Sequence, residues 1–297
     1  MMNTTSTHKA GFVNIVGNPN VGKSTIMNRM VGEKLSIITS KAQTTRHRIH
    51  GIVNGDDFQI VYSDTPGILT PKYKLQENML KAARSALVDA DILIYVTDVT
   101  EEPGLREDIA GKLQKSGLPV ILVLNKVDLC NQEKVEQLFT EWSAVLPDAG
   151  FVPMSATEGF NLDRLFNLIL EKLPENPPFY SKDLITDKSE RFFAGEIIRE
   201  KILLFYQQEI PYSVEIEIEE FKDTPKIIRI RTVIYVERDT QKGILIGKAG
   251  SSLKKTGTEA RKEMEKFFGK KVFLELFVKV RKDWRNNDRM LKSFGYR

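Results

Sequence analysis

The run Gly17-Asn-Pro-Asn-Val-Gly22-Lys23-Ser24 constrains the fold more than any other feature of the chain. Two glycines flank a four-residue span and are followed by a lysine and a hydroxyl residue, the spacing of a phosphate-binding loop. Such a loop works only between a strand and a helix, because its backbone N–H groups and the helix N-terminus must converge on the phosphate oxygens. The apolar stretch 11–16 precedes it and a helical pattern follows, as that geometry requires. Lys23 would neutralise the outer phosphates, and Ser24 would direct its hydroxyl to Mg²⁺. A second run, Gly243-Ile-Leu-Ile-Gly247-Lys248, has three residues between its glycines and Ala249 in place of the hydroxyl. A single nucleotide site is therefore predicted.

The rest of the first half agrees with this start. Apolar stretches at 11–16, 49–54, 58–63, 91–98, 119–124 and 151–154 read as strands, and the segments between most of them have helical periodicity, as at Leu162, Leu165, Phe166 and Ile169. That alternation predicts an α/β domain with a mostly parallel six-stranded sheet covered on both faces. Three prolines within 174–178 cannot continue a helix and predict a linker. The expected division is a nucleotide domain over 1–173, a linker over 174–182 and a second domain over 183–297.

In the second half, a helix near 191–207 precedes a strand at 213–221, where Val214, Ile216 and Ile218 alternate with Glu215, Glu217 and Glu219. A strand near 227–237, a short helix or turn at 243–246, a basic helix over 251–268 and a strand near 271–280 complete a smaller α+β domain of order α-β-β-α-α-β. Charge divides along the same line. Residues 1–180 hold 18 Lys and Arg against 21 Asp and Glu, whereas 241–297 hold 16 against 6, so the net charge of +4 conceals a strongly basic end. Such a block suggests a polyanionic partner.

Other classes are disfavoured. The longest apolar stretches, such as 92–96 and 120–124, are far shorter than the roughly 20 residues of a membrane span. The first nine residues have no apolar core of a secretory leader, so a cytoplasmic protein is expected. One cysteine, Cys130, and three histidines, His8, His47 and His50, make neither a disulfide nor a zinc-ligand spacing.

Three further motifs select the nucleotide. Asp64-Thr65-Pro66-Gly67 follows a strand, so Asp64 can reach the Mg²⁺ shell while the Gly67 N–H approaches the γ-phosphate. Asn125-Lys126-Val127-Asp128 ends another strand, and the Asp128 carboxylate can accept both guanine N1–H and its exocyclic amine, a donor pair that adenine lacks. An unpaired carboxylate in such a site rejects the wrong base by roughly 10⁴-fold. Ser155-Ala156 can offer the Ala156 N–H to guanine O6. Between the phosphate loop and Asp64, the polar stretch Lys41-Ala-Gln-Thr44-Thr45-Arg46-His47-Arg48 suits a mobile switch, with Thr45, or Thr44 in its place, capping Mg²⁺ and the γ-phosphate. The candidate nucleotide contacts are thus Gly17, Asn18, Pro19, Asn20, Val21, Gly22, Lys23, Ser24 and Thr25; Asp64, Thr65, Pro66, Gly67 and Ile68; Asn125, Lys126, Val127 and Asp128; and Ser155 and Ala156. Ser24, Thr45 and Asp64 are the candidate metal ligands, and Lys23, Thr45, Gly67 and Asn20 the candidate catalytic residues.

In order and spacing, these motifs closely resemble those of the Era family of ribosome-assembly GTPases, of the translation-factor-related class, along nearly the whole chain. The resemblance implies that the second domain is a KH fold. Gly247-Lys248-Ala249-Gly250 then stands where a KH domain grips about four nucleotides of single-stranded RNA, and Lys254, Lys255, Arg261 and Lys262 would extend the basic surface. The implied partners are the 3′ end of 16S ribosomal RNA and the 30S subunit during maturation. A monomer is expected, and the family also implies peripheral contact with the inner face of the cell membrane, although the sequence shows no amphipathic anchor. Trp284 in the tail reads as a core residue or as a base-stacking platform.

The resemblance further implies slow hydrolysis of GTP to GDP. Ile68 occupies the place where many regulatory GTPases use glutamine to orient the attacking water, and an aliphatic side chain cannot do so. Related loops use potassium, so Asn20 is expected to help bind K⁺ beside the phosphates, with loop stabilisation as its alternative role. Two other functions fit less of the sequence: an RNA chaperone for which GTP is an occupancy signal, and a partner GTPase of tRNA modification.

Overall fold

The computed structural model describes residues 8–104, 109, 113 and 117–296. Residues 1–7, part of the segment from which the absence of a leader was read, lie outside the described residues. Strands β1 (Lys9–Gly17), β2 (Ile49–Asn54), β3 (Phe58–Asp64), β4 (Ile92–Asp98), β5 (Val120–Asn125) and β6 (Gly150–Pro153) form one sheet in the order β2-β3-β1-β4-β5-β6. Only β2 and β3 pair antiparallel; the other neighbours are parallel. Every residue of β4, Ile-Leu-Ile-Tyr-Val-Thr-Asp, is buried, as expected of a strand covered on both faces.

Around this sheet lie helices α1 (Lys23–Val31), α2 (Lys74–Ser85), α3 (Gln132–Val145) and α4 (Leu162–Lys172). One core cluster joins Val16, Ile68, Leu80, Leu93, Tyr95, Leu122, Leu138 and Trp142. From β1 the chain builds β3 on one side and β4 on the other, so the strand order switches at β1. In open α/β sheets the crevice beyond the carboxyl ends at such a switch binds ligands. The phosphate-binding loop lies there, between β1 and α1.

The proline-rich stretch is extended and hydrogen-bonded along its length. The Ala10 N–H donates to Pro174 O (3.1 Å), the Phe179 and Tyr180 N–H groups donate to Gln59 Oε1 (2.7 and 2.9 Å), and the Ile52 N–H donates to Ile185 O (2.9 Å). Two compact units part between Asp187 and Lys188, and the segments Ile37–Thr44 and Pro71–Asn78 group with the second. Among the described residues, no helix is long and apolar enough to cross a membrane.

The second unit contains α5 (Glu190–Phe205), a short α6 (Ile210–Ser213), β7 (Glu215–Asp223), β8 (Ile227–Val236), α7 (Asp239–Ile246), α8 (Ser251–Phe268), β9 (Lys271–Val280) and α9 (Asp288–Ser293). Its sheet has the order β7-β8-β9, antiparallel then parallel. Ile198 and Ile202 of α5, Ile230 and Ile234 of β8, and Ala260 and Met264 of α8 meet in one core. The α-β-β-α-α-β order is present, with α6 and α9 added.

One local feature differs from the sequence pattern, and one open reading is decided. Helix α7 starts at Asp239, ahead of the apolar residues that suggested it, because Gln241 Oε1 accepts the Glu237 and Arg238 N–H groups (3.0 and 3.2 Å) and closes the first turn. Trp284 is fully buried, and its indole N–H donates to Ser213 O (3.1 Å). It is a core residue, and the base-stacking alternative is discarded.

Candidate nucleotide and nucleic-acid sites

Helix α1 begins at Gly22 with φ 104° and has no side-chain cap, which leaves its first N–H groups directed outward for an anion. A Cβ at Gly22 would lie 2.1 Å from Asn125 Nδ2, so only glycine fits. The Lys23 ammonium folds back over the loop and donates to Asn18 O at 2.6 Å. Burial lowers its pKa to about 8 against the opposing pull of Asp64 and Glu101, so it remains largely a cation at neutral pH.

At the mouth of this loop three oxygen donors converge. Ser24 Oγ donates to Asp64 Oδ2 at 2.7 Å, Thr45 Oγ1 donates to the same oxygen at 3.2 Å, and the two hydroxyls lie 3.0 Å apart. Asp64 Oδ1 is buried with no hydrogen-bond partner. Burial raises the Asp64 pKa, opposed by the Ser24 hydrogen bond and the charge of Lys23. A buried carboxylate with an unused oxygen beside two hydroxyls fits a hard divalent cation such as Mg²⁺. Thr44 faces elsewhere: its hydroxyl donates to Lys41 O (2.6 Å) and lies 2.8 Å from that of Thr39.

The loop after Asp64 is tied to the phosphate loop by the Ile68 N–H, which donates to Gly17 O (3.1 Å). Within it, the Thr65 hydroxyl is committed to Ile15 O (2.8 Å), so its role is to hold the turn. Ile68 is 4% exposed and packs in the sheet core. Asn20 is exposed, in the left-handed region at φ 66°.

Asn125 joins three motifs. Its Nδ2 donates to Val21 O (2.8 Å) in the phosphate loop, and its Oδ1 accepts the Ala156 N–H (3.0 Å). The Ala156 N–H, assigned from the sequence to guanine O6, is thus engaged by Asn125 in this structure. The Lys126 ammonium donates to Asp98 Oδ2 at 2.5 Å. Burial works to raise the Asp98 pKa, yet the bonds from Lys126 and Thr100 hold it below the usual carboxylate value. Asp98 escaped the sequence reading, since it ends a strand with no motif around it. Asp128 stands exposed after Val127.

The second candidate site opens where α7 ends. Gly247 has φ 73°, and a Cβ there would lie 2.2 Å from Ser252 Oγ; Gly250 has φ 77° but faces open space. Between them Lys248 and Ala249 form a tight turn, with Ala249 itself left-handed at φ 51°. The adjoining groove is lined by Gly250, Leu253, Lys254, Gly257, Thr258, Arg261, Leu274 and Leu276. The structure therefore brings Gly250, Lys254 and Arg261 together. Lys255 lies elsewhere, 4.8 Å above the Phe205 ring, and Lys262 pairs with Glu259 at 2.8 Å. Leu274 and Leu276 come from β9, distant in sequence. Gly257 did carry a signal, because a glycine inside a helix costs about 1 kcal/mol relative to alanine and calls for a reason.

Comparison with known proteins finds a family match in each half of the chain. Residues 12–126 match the family model of the 50S ribosome-binding GTPases, and residues 209–285 match that of the KH domain. Two solved structures are each 41% identical to this chain, cover 97% of it and 99% of themselves, and superpose with a TM-score of 0.91. One is Era in complex with MgGDPNP and nucleotides 1506–1542 of 16S ribosomal RNA. The other is an Era variant from Aquifex aeolicus, with tyrosine replaced by alanine, bound to GDP and aluminium fluoride.

Proposed function

The chain belongs to the Era family of GTPases, and on that premise we propose that it is a GTP-hydrolysing switch of 30S ribosomal subunit maturation. Its KH domain binds the single-stranded 3′ end of 16S ribosomal RNA. We assign the nucleotide domain to residues 1–173, the linker to 174–182 and the KH domain to 183–297, the stretch 183–187 grouping with the nucleotide domain. The observation that carries this reading is a chain with two anion sites of different build: the Ser24, Thr45 and Asp64 cluster beside Lys23, and an open glycine loop at the head of the basic helix α8.

In the first site, the N–H groups of the phosphate loop and the Lys23 ammonium hold the β- and γ-phosphates of GTP. Ser24, Thr45 and Asp64 would hold Mg²⁺, which supplies positive charge to the phosphate oxygens. The Gly67 N–H and Thr45 orient the γ-phosphate, and Asp128 reads the guanine edge. Water attacks the γ-phosphorus and GDP leaves. Because Ile68 is buried in the core, the chain itself offers no side chain at that position to align the water, and slow turnover follows.

Asn20 is assigned to a K⁺ site beside the phosphates, supported by its exposed, left-handed position in the loop. Turnover is then faster in K⁺ than in Na⁺. Equal rates, or a K⁺ effect that persists in Asn20→Ala, remove this assignment.

In the second site, Gly250 lets a sugar-phosphate backbone approach, Lys254 and Arg261 supply charge, and Leu253, Leu274 and Leu276 give the bases an apolar floor. The protein is assigned to the cytoplasm, where its 30S partner is assembled, and cell fractionation tests the peripheral membrane contact expected of the family. The decisive test is crosslinking in cells followed by sequencing of the bound RNA. Enrichment of the 16S 3′ end is expected; enrichment of transfer RNA would favour a tRNA-modification partner. Normal 30S maturation in Lys23→Ala would leave an RNA chaperone with no need of a nucleotide switch.

A further inference from the structure

The turn after β4 reaches back to the phosphate loop through one carboxylate. Both oxygens of Glu101 are engaged: Oε1 accepts from Asn18 Nδ2 at 2.8 Å, and Oε2 accepts from Thr97 Oγ1 at 2.9 Å. Asn18 is the first variable residue of the phosphate loop, and its carbonyl receives the Lys23 ammonium at 2.6 Å. The residue is thus pinned through its side chain by Glu101 and through its backbone by Lys23.

Glu101 is itself held. Its N–H donates to Asp98 O (3.1 Å), and the Asp98 carboxylate accepts from the Thr100 N–H (2.8 Å), the Thr100 hydroxyl (2.5 Å) and the Lys126 ammonium (2.5 Å). A continuous chain of bonds therefore runs from Lys126, beside the guanine-reading carboxylate, through Asp98 and Glu101 to Asn18. None of the four nucleotide motifs includes Glu101.

We propose that Glu101 is a positioning residue for nucleotide binding, which fixes the phosphate loop in its anion-binding shape by holding Asn18. A carboxylate is well suited to the task because it accepts from two donors at once, and hydrogen bonds to a charged acceptor are stronger than neutral ones. It acts on the loop before and after hydrolysis alike, so GDP and GTP lose the same affinity when it is removed. The proposal rests on the nucleotide site described above, and GDP binding by the unmodified chain in the same assay tests that site separately.

The experiment titrates a fluorescent GDP analogue, and a non-hydrolysable GTP analogue, into the full chain and into Glu101→Ala, Glu101→Gln, Asn18→Ala and the Glu101→Ala/Asn18→Ala double variant. Steady-state hydrolysis is measured in parallel. Glu101→Ala is expected to raise both dissociation constants about tenfold, or about 1.4 kcal/mol, with kcat at saturating GTP unchanged. That split marks loss of binding common to ground and transition states. Glu101→Gln, which keeps an acceptor for Asn18 and an amide opposite Thr97, restores most of the affinity. Asn18→Ala reproduces the Glu101→Ala loss, and the double variant is no weaker than either single one.

Additive losses, near a hundredfold in the double variant, would show that Glu101 does not work through Asn18 and would overturn the proposal. So would unchanged affinity in Glu101→Ala, or a Gln variant as weak as the Ala variant. If Glu101→Ala fails to fold, Thr97→Val serves in its place: it leaves Glu101 and Asn18 intact but frees one carboxylate oxygen, with an expected loss of about threefold, and unchanged affinity there overturns the proposal equally.

Discussion

The loops Gly17–Ser24 and Gly247–Gly250 use the same ingredients, glycines and a lysine ahead of a helix N-terminus, yet they are built for different anions. In the first, the space beside Gly22 is filled by Asn125, and Lys23 is 6% exposed. The loop is braced from Asn125, Ile68 and the turn after β4, so its N–H groups converge on one small ligand of fixed shape. In the second, only Gly247 is enclosed, against Ser252; Gly250 faces open space, and its groove runs along α8. A polymer must enter from the side and continue beyond the loop, so the structure braces one glycine and leaves the other accessible. Closure suits a ligand bound at its end, and openness suits a strand bound along its length.

The largest effect that can break this comparison is at Lys23. Removing a buried charge partner costs roughly 2–5 kcal/mol, so Lys23→Ala should weaken GDP binding by at least about 30-fold, measured by equilibrium titration. RNA affinity in the absence of nucleotide should be unchanged. A loss at both sites would mean that the two loops are not independent binding elements.

Next in size is the braced glycine of the second loop. Gly247→Ala combines a left-handed φ of 73° with a Cβ placed 2.2 Å from Ser252 Oγ. A cost of about 2–3 kcal/mol in KH-domain stability is expected, from backbone strain together with steric overlap, read as a lowered midpoint in denaturant. Gly250→Ala, at φ 77° but with open space around it, should cost only about 1 kcal/mol. Its main effect should be weaker RNA binding. If the two substitutions destabilise equally, the division into a braced and an accessible glycine is wrong.

What the sequence revealed of these sites follows the same contrast. The closed site is local: its loop, Asp64 and Asn125 each stand at the end of a mostly apolar strand and in a motif of fixed spacing, so spacing located them. The open site was legible at Gly247–Gly250 and in the basic helix, but its apolar floor at Leu274 and Leu276 belongs to β9, where alternation shows only that one face is buried. Trp284 could be resolved only by its tertiary bond to Ser213 O. Helix α7 starts earlier than its apolar residues suggest because a side chain, Gln241, supplies the missing acceptor. Glu101 and Asp98 were not legible, since the partners that tie them to the nucleotide motifs, Asn18 and Lys126, lie far along the chain.

The smallest effect tests which positive charges belong to the open groove. Lys254 and Arg261 lie seven residues apart on α8 and line it, whereas Lys255 sits over the Phe205 ring and Lys262 pairs with Glu259. Each phosphate neutralised on a single strand contributes about 0.7 to the slope of log affinity against log salt. Lys254→Ala should therefore reduce that slope by about 0.7. Arg261 is also bonded to Glu265 at 2.9 Å, so part of its charge is already committed and Arg261→Ala should reduce the slope by less. Lys255→Ala and Lys262→Ala should leave it nearly unchanged, because neither side chain lines the groove. Equal reductions at all four positions would mean that RNA lies across the basic helix as a diffuse charged surface, and the open loop would then no longer define the site.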